Sequence, residues 1–141
     1  MKAGVRIVLF LMLLSAGRSV AAAEVEMEAC KYTPEVKKEL NLTAAQEPQV
    51  AKVYADLASS LKQIQEAMKD REQKSNAGAS PEAMEEATKQ VIALENQCRE
   101  KGHQLLKPIL TEAQYKRILE MEDVHRRKAL ERRTAGQPSH P

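Results

Sequence analysis

"ILTEAQ" at residues 109–114 repeats the pattern of "NLTAAQ" at residues 41–46, and this pair of stretches decides the fold. Both spell Leu-Thr-x-x-Gln, and they lie 68 residues apart. A Thr followed three residues later by Gln is a capping box. The Thr hydroxyl accepts a hydrogen bond from the backbone N–H three residues on, and the Gln side chain reaches back to the Thr N–H. The two motifs therefore predict the starts of two helices.

Each motif also places a leucine for a hydrophobic contact. A leucine directly before the Thr can pack on the fourth residue of the helix, and Tyr115 occupies that position after the second motif. The motif residues are Leu42, Thr43 and Gln46 in the first copy and Leu110, Thr111 and Gln114 in the second. Taken as caps alone, they stabilise each helix start by about 1 kcal/mol.

Apolar residues recur at steps of three and four on both sides of a break at residues 75–80. This spacing places one apolar stripe along a helix. It predicts a helix from residue 43 to about 74 with a mild kink at Pro48, and a second helix from Pro81 to Pro108. The stripe residues are Val50, Tyr54, Leu57, Leu61, Ile64 and Met68 before the break, and Met84, Ala87, Val91, Leu94 and Cys98 after it.

Shorter helices are predicted on either side of this pair. Thr33 is a candidate N-cap with Pro34 at the first helical position. Pairs of Glu with Lys or Arg four residues later follow the second motif and are typical of a solvated helix over residues 112–133. Residues 24–32 show no clear period and are interpreted as loosely ordered. The predicted fold is all-α: a long antiparallel helical hairpin with a short helix at each end.

The first 23 residues are predicted to be a signal peptide. They begin with the basic stretch "MKAGVR", continue with the apolar run "IVLFLMLL", and end with small residues at Ala21 and Ala23. The apolar run is too short to span a bilayer. We therefore expect an exported, periplasmic protein without stable membrane insertion. It would have one helical domain at residues 24–133 and a disordered tail at residues 134–141.

The chain without its first 23 residues is nearly neutral. Lys2, Arg6 and Arg18 belong to that segment, which leaves 19 basic against 20 acidic residues and a net charge of −1. Such a chain lacks the positive field that non-specific nucleic-acid binding requires. It also holds only 24 Val, Leu, Ile and Met in 118 residues and no Phe or Trp, a thin supply for one compact core. A homodimer that shares a core fits this composition.

The two cysteines, Cys30 and Cys98, both lie outside the predicted signal peptide. A cysteine pair in an exported protein is most simply a disulfide. A bridge within one chain would pin residues 24–32 onto the hairpin and would stabilise the fold by roughly 4 kcal/mol in the chain-entropy model. A bridge between two chains and a pair of free thiols are the alternatives.

The residue patterns of enzymes are missing from the sequence. Only three Gly follow residue 23, too few for a phosphate-binding loop, and there is no Cys-x-x-Cys. Glu122 and His125 form a Glu-x-x-His on one helical face, but a metal site in a helical bundle uses a second such pair, which is lacking. His125 beside Arg126 and Arg127 is therefore interpreted as part of a solvated basic face. No enzyme activity, cofactor or metal is predicted, and a metal site at Glu122 and His125 is kept as an alternative.

The motifs within "LNLTAAQ" (40–46) and "ILTEAQYKRIL" (109–119) resemble those of the LTXXQ-motif (Spy/CpxP-like) family of periplasmic stress proteins. The likeness covers residues from about 35 to 133. Members of that family are cradle-shaped antiparallel dimers of long helices. Some act as ATP-independent chaperones on unfolding proteins, and others restrain an envelope-stress sensor kinase. The resemblance implies a cradle-shaped homodimer with such activities and without catalytic residues.

The predicted function is that of a periplasmic ATP-independent chaperone that binds unfolded or misfolded client proteins. Its binding face would be apolar with a partly basic rim, for which the candidates are Lys62, Lys69, Arg71, Arg126 and Arg127. Three alternatives stay open: a regulatory module that docks on a periplasmic sensor kinase, a metal sensor or buffer, and a structural protein of the envelope.

Overall fold

The computed structural model describes residues 24–135, which form five α-helices and, over that range, no strand. In chain order the helices are α1 Pro34–Leu40, α2 Gln46–Asp56, α3 Ala58–Asn76, α4 Pro81–Leu106 and α5 Glu112–Ala135. The predicted all-α class is confirmed. The predicted signal peptide at residues 1–23 and the last six residues of the predicted tail lie outside the described residues.

Helices α3 and α4 form the long hairpin, and they make the most extensive helix-to-helix contact in the described chain. Their facing stripes bury Ile64 and Ala67 on one side and Ala87 and Val91 on the other. The turn between them contains Gly78 with φ +70°, a left-handed conformation that glycine adopts at low cost. Ser80 then caps α4, since its side chain accepts from the Ala83 N–H at 3.3 Å. The predicted break at residues 75–80 is found there.

The helix predicted from residue 43 to about 74 is interrupted at Leu57 rather than kinked at Pro48. The Glu47 N–H donates to the Thr43 carbonyl at 3.0 Å, so the helical turn begins at Thr43. Pro48 is the next residue and cannot donate to the Ala44 carbonyl, which removes one backbone hydrogen bond, but α2 continues through it to Asp56. Leu57 is 1% exposed and has ψ −6°, away from helical values. Its carbonyl still accepts from the Leu61 N–H at 3.0 Å, so α3 continues directly from α2.

The interruption at Leu57 lies against a glycine of α4. An ideal Cβ built on Gly102 would come 3.4 Å from Leu57 Cδ1, an ordinary van der Waals contact. Gly102 is itself buried in the interior of α4. The absence of a side chain here allows the α2–α3 junction to approach the α4 backbone closely.

The core lies at the end of α4 that is far from the hairpin turn. Helices α1, α2 and α5 meet the last turns of α4 there, around a cluster of fully buried side chains. These are Val36, Val50, Leu57, Cys98, Leu106, Ile118 and Met121. The hairpin is long and contributes few residues to this cluster, so most of the chain's scarce large apolar side chains are concentrated where the other helices join it.

The two ends of the described chain differ from the sequence prediction. Helix α5 has 24 residues, nearly as many as the 26 of α4, and it includes Thr134 and Ala135 of the predicted tail. Residues 24–33 have no helix but are packed, since Met27, Ala29 and Cys30 are each less than 9% exposed. None of the helices between residues 24 and 135 is long and apolar enough to cross a membrane.

Replacing Gly102 by Ala tests the packing of Leu57 on α4. Ala is favoured over Gly in a helix interior, so Gly102→Ala is expected to raise the free energy of unfolding by about 0.5–1 kcal/mol, measured by urea denaturation. Gly102→Val is the matched control. Its branched side chain cannot fit against Leu57, and it should destabilise the protein by about 1–3 kcal/mol. Destabilisation by Gly102→Ala would show that Leu57 and the α2–α3 junction cannot move to accommodate the added methyl group.

Candidate functional site

Both Leu-Thr-x-x-Gln motifs form complete capping boxes. The Gln46 N–H donates to Thr43 Oγ1 at 3.2 Å, and the Thr43 N–H donates to Gln46 Oε1 at 3.1 Å. The second motif repeats this geometry, with 3.2 Å from the Gln114 N–H to Thr111 Oγ1 and 2.9 Å from the Thr111 N–H to Gln114 Oε1. Each motif therefore begins a helix, as the sequence predicts.

The two glutamines also bind each other. Gln46 Nε2 donates to Gln114 Oε1 at 2.8 Å, and Gln114 Nε2 donates to Gln46 Oε1 at 3.0 Å. Each amide has one further donor hydrogen, and both are used: Gln46 donates to the Ile109 carbonyl at 3.0 Å and Gln114 to the Leu40 carbonyl at 3.1 Å. Every donor and acceptor of both amides is thereby paired. We call this arrangement the glutamine pair.

The glutamine pair joins two of the loops that connect the helices. The loop between α1 and α2 carries the first motif, and the loop between α4 and α5 carries the second. Interpreted as an isolated cap, each motif does not predict this contact. The repeat of Gln in both motifs could have indicated it, because a glutamine amide both donates and accepts and can therefore pair with a second glutamine amide.

Two of the predicted client-binding residues line an open groove between α3 and α4. Lys69 and Arg71 lie there beside Met68 and Met84. The groove has a volume of about 570 Å³, within the size range of ordinary ligand sites. Met68 is 43% exposed although it continues the apolar stripe of α3. We call this surface the methionine groove; Lys31 closes one side of it.

The other three predicted basic residues lie outside the methionine groove. Lys62 is paired with Glu66 along α3 at 3.9 Å. Arg126 and Arg127 are both paired with Asp123 on α5, at 3.2 and 3.3 Å. By contrast, neither Lys69 nor Arg71 forms an ion pair with any residue between 24 and 135. The structure therefore does not gather the five candidates into one rim.

Cys30 and Cys98 form a disulfide within the chain, which was the first of the three pairings considered. Both are buried, at 7% and 1% exposure, and the part of the chain that the structure describes has no free cysteine. Cys30 has φ +62°, a left-handed conformation that costs a non-glycine residue roughly 1–2 kcal/mol. The bridge fixes residues 24–33, which we call the strap, to helix α4.

The strap lies across α5 and α2 without regular secondary structure, and it turns at Ala29 and Cys30, where the Lys31 N–H donates to the Glu28 carbonyl at 3.2 Å. The Met27 N–H donates to the Met121 carbonyl of α5 at 3.2 Å. The Tyr32 ring stacks on that of Tyr54 in α2, with centroids 4.4 Å apart. Glu26 Oε2 lies 3.6 Å from Lys128 Nζ. The strap thus contacts three helices, including the covalent contact with α4.

Glu122 is the one buried charged side chain in the described range, at 6% exposure. Its carboxylate is bound by His103 Nε2 of α4, at 3.1 Å and 2.9 Å from the two oxygens, and Arg99 Nε lies 3.7 Å away. Glu122 therefore pairs with His103, and not with His125 as the Glu-x-x-His alternative required. No group of three or more His, Cys, Asp or Glu side chains between residues 24 and 135 could hold a metal ion.

Tyr54 lies near this cluster with its hydroxyl buried. That oxygen has no hydrogen-bond partner among the described residues. Burial raises the pKa of Tyr54 above the usual value, and Tyr32 and the Glu122 carboxylate raise it further. A buried hydroxyl without a partner is an unfavourable group, so Tyr54 contributes to the core through its ring alone.

A family model described as "Domain of unknown function (DUF4890)" matches residues 16–117. The matched range includes both motifs and both cysteines and covers well over half of the chain. The chain belongs to this family. Neither the curated proteins nor the solved structures contain a match to it. The glutamine pair and the disulfide are therefore features of a DUF4890 domain.

A double-mutant cycle on Gln46 and Gln114 measures the glutamine pair. Replacing either by Ala removes two mutual hydrogen bonds and leaves partners of the other amide unpaired. Each single variant is expected to lose about 2 kcal/mol of unfolding free energy. The double variant should lose about 1–2 kcal/mol less than the sum, because the contact is shared. Urea denaturation of all four proteins gives both quantities.

Gln49→Ala is the control for this cycle. Gln49 lies on the same helix as Gln46, is exposed, and bonds only the Ala45 carbonyl at 3.1 Å. Its replacement should change the unfolding free energy by less than about 0.5 kcal/mol. Strict additivity of Gln46→Ala and Gln114→Ala would contradict the pair.

Tyr54→Phe keeps the buried ring and removes the unpaired hydroxyl. It is expected to raise the unfolding free energy by about 1 kcal/mol at neutral pH. The pKa of Tyr54 is raised in the folded state, so its contribution is constant below about pH 10 and is lost as the pH rises further, since the unfolded chain ionises first. The alkaline loss should be smaller in Tyr54→Phe. Destabilisation at neutral pH would show that the hydroxyl has a partner.

Proposed function

We propose that this protein is an exported, ATP-independent chaperone of the cell envelope that holds apolar segments of unfolded client proteins. The observation that carries the proposal is the methionine groove. Methionine side chains are flexible and polarizable, and they recur on surfaces that accept many different apolar partners. A binding surface for unfolded proteins requires this tolerance, since its clients share no sequence.

The charge of the groove fits the same role. Lys69 and Arg71 have no ionic partner between residues 24 and 135, and Glu72 is the one acidic residue that lines the groove. Lys31 also lines the groove, but it is paired with Glu28. The surface is thus apolar at Met68 and Met84 with an excess of positive charge around them. Positive charge speeds the encounter with acidic clients without requiring a fixed geometry. We propose Met68, Lys69 and Arg71 as the principal client contacts.

Resemblance to the LTXXQ-motif family adds the periplasmic location and the dimer to this proposal. The motif residues Thr43, Gln46, Thr111 and Gln114 would then serve the function indirectly, by fixing the helices that carry the groove. A homodimer would place two methionine grooves in one molecule and so allow two contacts with one client chain. Sedimentation equilibrium of the oxidised protein measures its oligomeric state directly.

Suppression of aggregation tests the chaperone role. The oxidised protein, without ATP, is titrated against a chemically unfolded model client while light scattering is recorded. Met68→Asp places a charge at the centre of the groove, and the concentration for half-suppression should rise about ten-fold, equivalent to about 1.4 kcal/mol of lost binding. Met68 is exposed, so the variant should remain folded.

Leu130→Asp is the matched control. Leu130 is more exposed than Met68, at 62%, but lies on α5 away from the groove. Its replacement should leave suppression unchanged. Equal effects of the two variants would mean that general stickiness, and not the groove, acts on the client. An absence of suppression at large excess of the wild-type protein would refute the chaperone role and favour a regulatory docking module.

A further inference from the structure

The strap has the sequence pattern of a bound extended peptide. "EVEMEA" at residues 24–29 alternates acidic and apolar residues without exception. An extended chain turns successive side chains to opposite sides. The burial follows the alternation from Met27 to Ala29, since these two residues are buried and Glu28 between them is only partly buried. Glu24 is exposed, and Val25 and Glu26 are both partly buried. One side of the strap therefore contacts the helices.

The surface beneath the strap is formed by helices and combines apolar with charged side chains. Met121 and Val124 of α5 and Tyr54 of α2 contribute the apolar part. The charged residues beside Val25 and Val124 are Arg117, Glu120, Asp123 and Arg127. Lys128 stands at its edge, where it binds Glu26 and approaches the Glu24 carbonyl at 3.5 Å. An apolar floor with a cation beside it suits an extended segment in which apolar and acidic residues alternate. We call this surface the strap site.

The strap is held by side-chain contacts and the disulfide, and hardly by its backbone. It has no regular secondary structure and donates one backbone hydrogen bond to the helices, from Met27 to Met121. Cys30 is kept at φ +62°, which an L-residue leaves readily when it is free to do so. Ordering ten residues in an extended form carries a large entropic cost, and such segments are among the first to open.

We propose that the Cys30–Cys98 disulfide is a redox switch: reduction releases the strap, and the strap site then binds an extended client segment of alternating apolar and acidic residues. The identity of the occupant as a client rests on the proposed function, whereas the release of the strap does not. Release also withdraws Lys31 from the side of the methionine groove, so both apolar surfaces become more open together.

The chemical step is an exchange with a dithiol. One thiolate of the dithiol attacks a sulfur of the bridge, forms a mixed disulfide and releases the other cysteine as a thiolate, which takes up a proton. The second thiol of the dithiol then displaces the first cysteine and closes a cyclic disulfide. Two electrons and two protons pass to the protein, and the dithiol is oxidised. Burial of both cysteines makes this step depend on local opening of the strap.

Much of the fold is held by contacts other than the bridge. The glutamine pair joins the α1–α2 and α4–α5 loops through residues that lie outside the strap. The contact of α3 with α4 is likewise separate from the strap, although Met27, Cys30 and Cys98 themselves belong to the buried cluster of Val50, Leu106 and Ile118. Reduction is therefore expected to open the strap while the five helices stay in place.

Hydrogen exchange followed by mass spectrometry tests the release on the full chain. The oxidised protein is compared with protein reduced by dithiothreitol and with the double variant Cys30→Ser/Cys98→Ser without reductant. Amides of residues 25–32 should exchange on the order of ten-fold faster or more in both opened forms, while α2 and the first half of α5 stay protected. Equal protection of the strap in all three forms would overturn the proposal. Loss of protection throughout the helices would also overturn it, because the bridge would then stabilise the whole fold and not the strap alone.

A labelled peptide tests the strap site. The probe is residues 24–33 with Cys30→Ser, which cannot form a disulfide, and binding is followed by fluorescence anisotropy. It should bind the reduced protein and the serine double variant, and not the oxidised protein. The same peptide with Met27→Asp is the control and should bind at least about ten-fold more weakly. The strap site would be refuted if the peptide bound the oxidised and reduced proteins equally. It would also be refuted if the Met27→Asp peptide bound as tightly as the unchanged one.

The same assay separates this inference from the chaperone proposal. Strap release and peptide binding without suppression of client aggregation in either redox form would leave the switch in place and refute the chaperone role. Equal suppression of client aggregation by the oxidised and reduced proteins, with the strap still fixed after reduction, would support the chaperone role and refute the switch. Stronger suppression by the reduced protein than by the oxidised one, together with strap release, is the result expected from both proposals.

Discussion

The reciprocal hydrogen bonds between Gln46 and Gln114 are the constraint on which the other features of this molecule depend. Each glutamine lies in the first turn of a helix, accepts a hydrogen bond from the N–H of its own Thr, and binds the glutamine of the other motif. Glu, the other common residue in a capping box, has no N–H to donate. At either position it would lose the bond to the other amide and the bond to the Ile109 or Leu40 carbonyl. The pairing therefore requires Gln in both motifs, and it fixes α2 against α5 at their first turns.

The core beside this constraint is small. The chain has few large apolar residues, and those that are fully buried form a single cluster drawn from helices α1, α2, α4 and α5. The α3–α4 hairpin extends from that core with an interface of small and medium side chains, such as Ala67 and Ala87. Its outer surface keeps Met68 and Ile92 exposed because no further helix of the described chain covers them. The binding surface we propose is a direct result of this extended shape.

Local patterns in the sequence were sufficient for the helices and insufficient for the contacts between them. The caps at Thr33, Thr43, Ser80 and Thr111 could be predicted, because a cap depends on residues three positions apart. The break at Leu57 could not, since Leu57 packs against Gly102 on another helix, 45 residues further on. The same holds for Glu122, whose partner His103 sits on another helix. The order in residues 24–33 was available in principle from the alternation of Glu with Val, Met and Ala, a period of two in a chain otherwise dominated by helical spacing.

The spacing of 68 residues recurs in the covalent structure. Cys30 and Cys98 are separated by that interval, as are Gln46 and Gln114, and the buried residues Val50 and Ile118 continue the series. The helices around the two motifs differ, since the first motif follows the 7-residue α1 and the second follows the 26-residue α4. Two pairs of residues at this one interval are nevertheless bonded to each other, one pair by amide hydrogen bonds and the other by a covalent bond. The chain is thus closed twice into loops of the same length, so the two closures hold neighbouring segments in the same register.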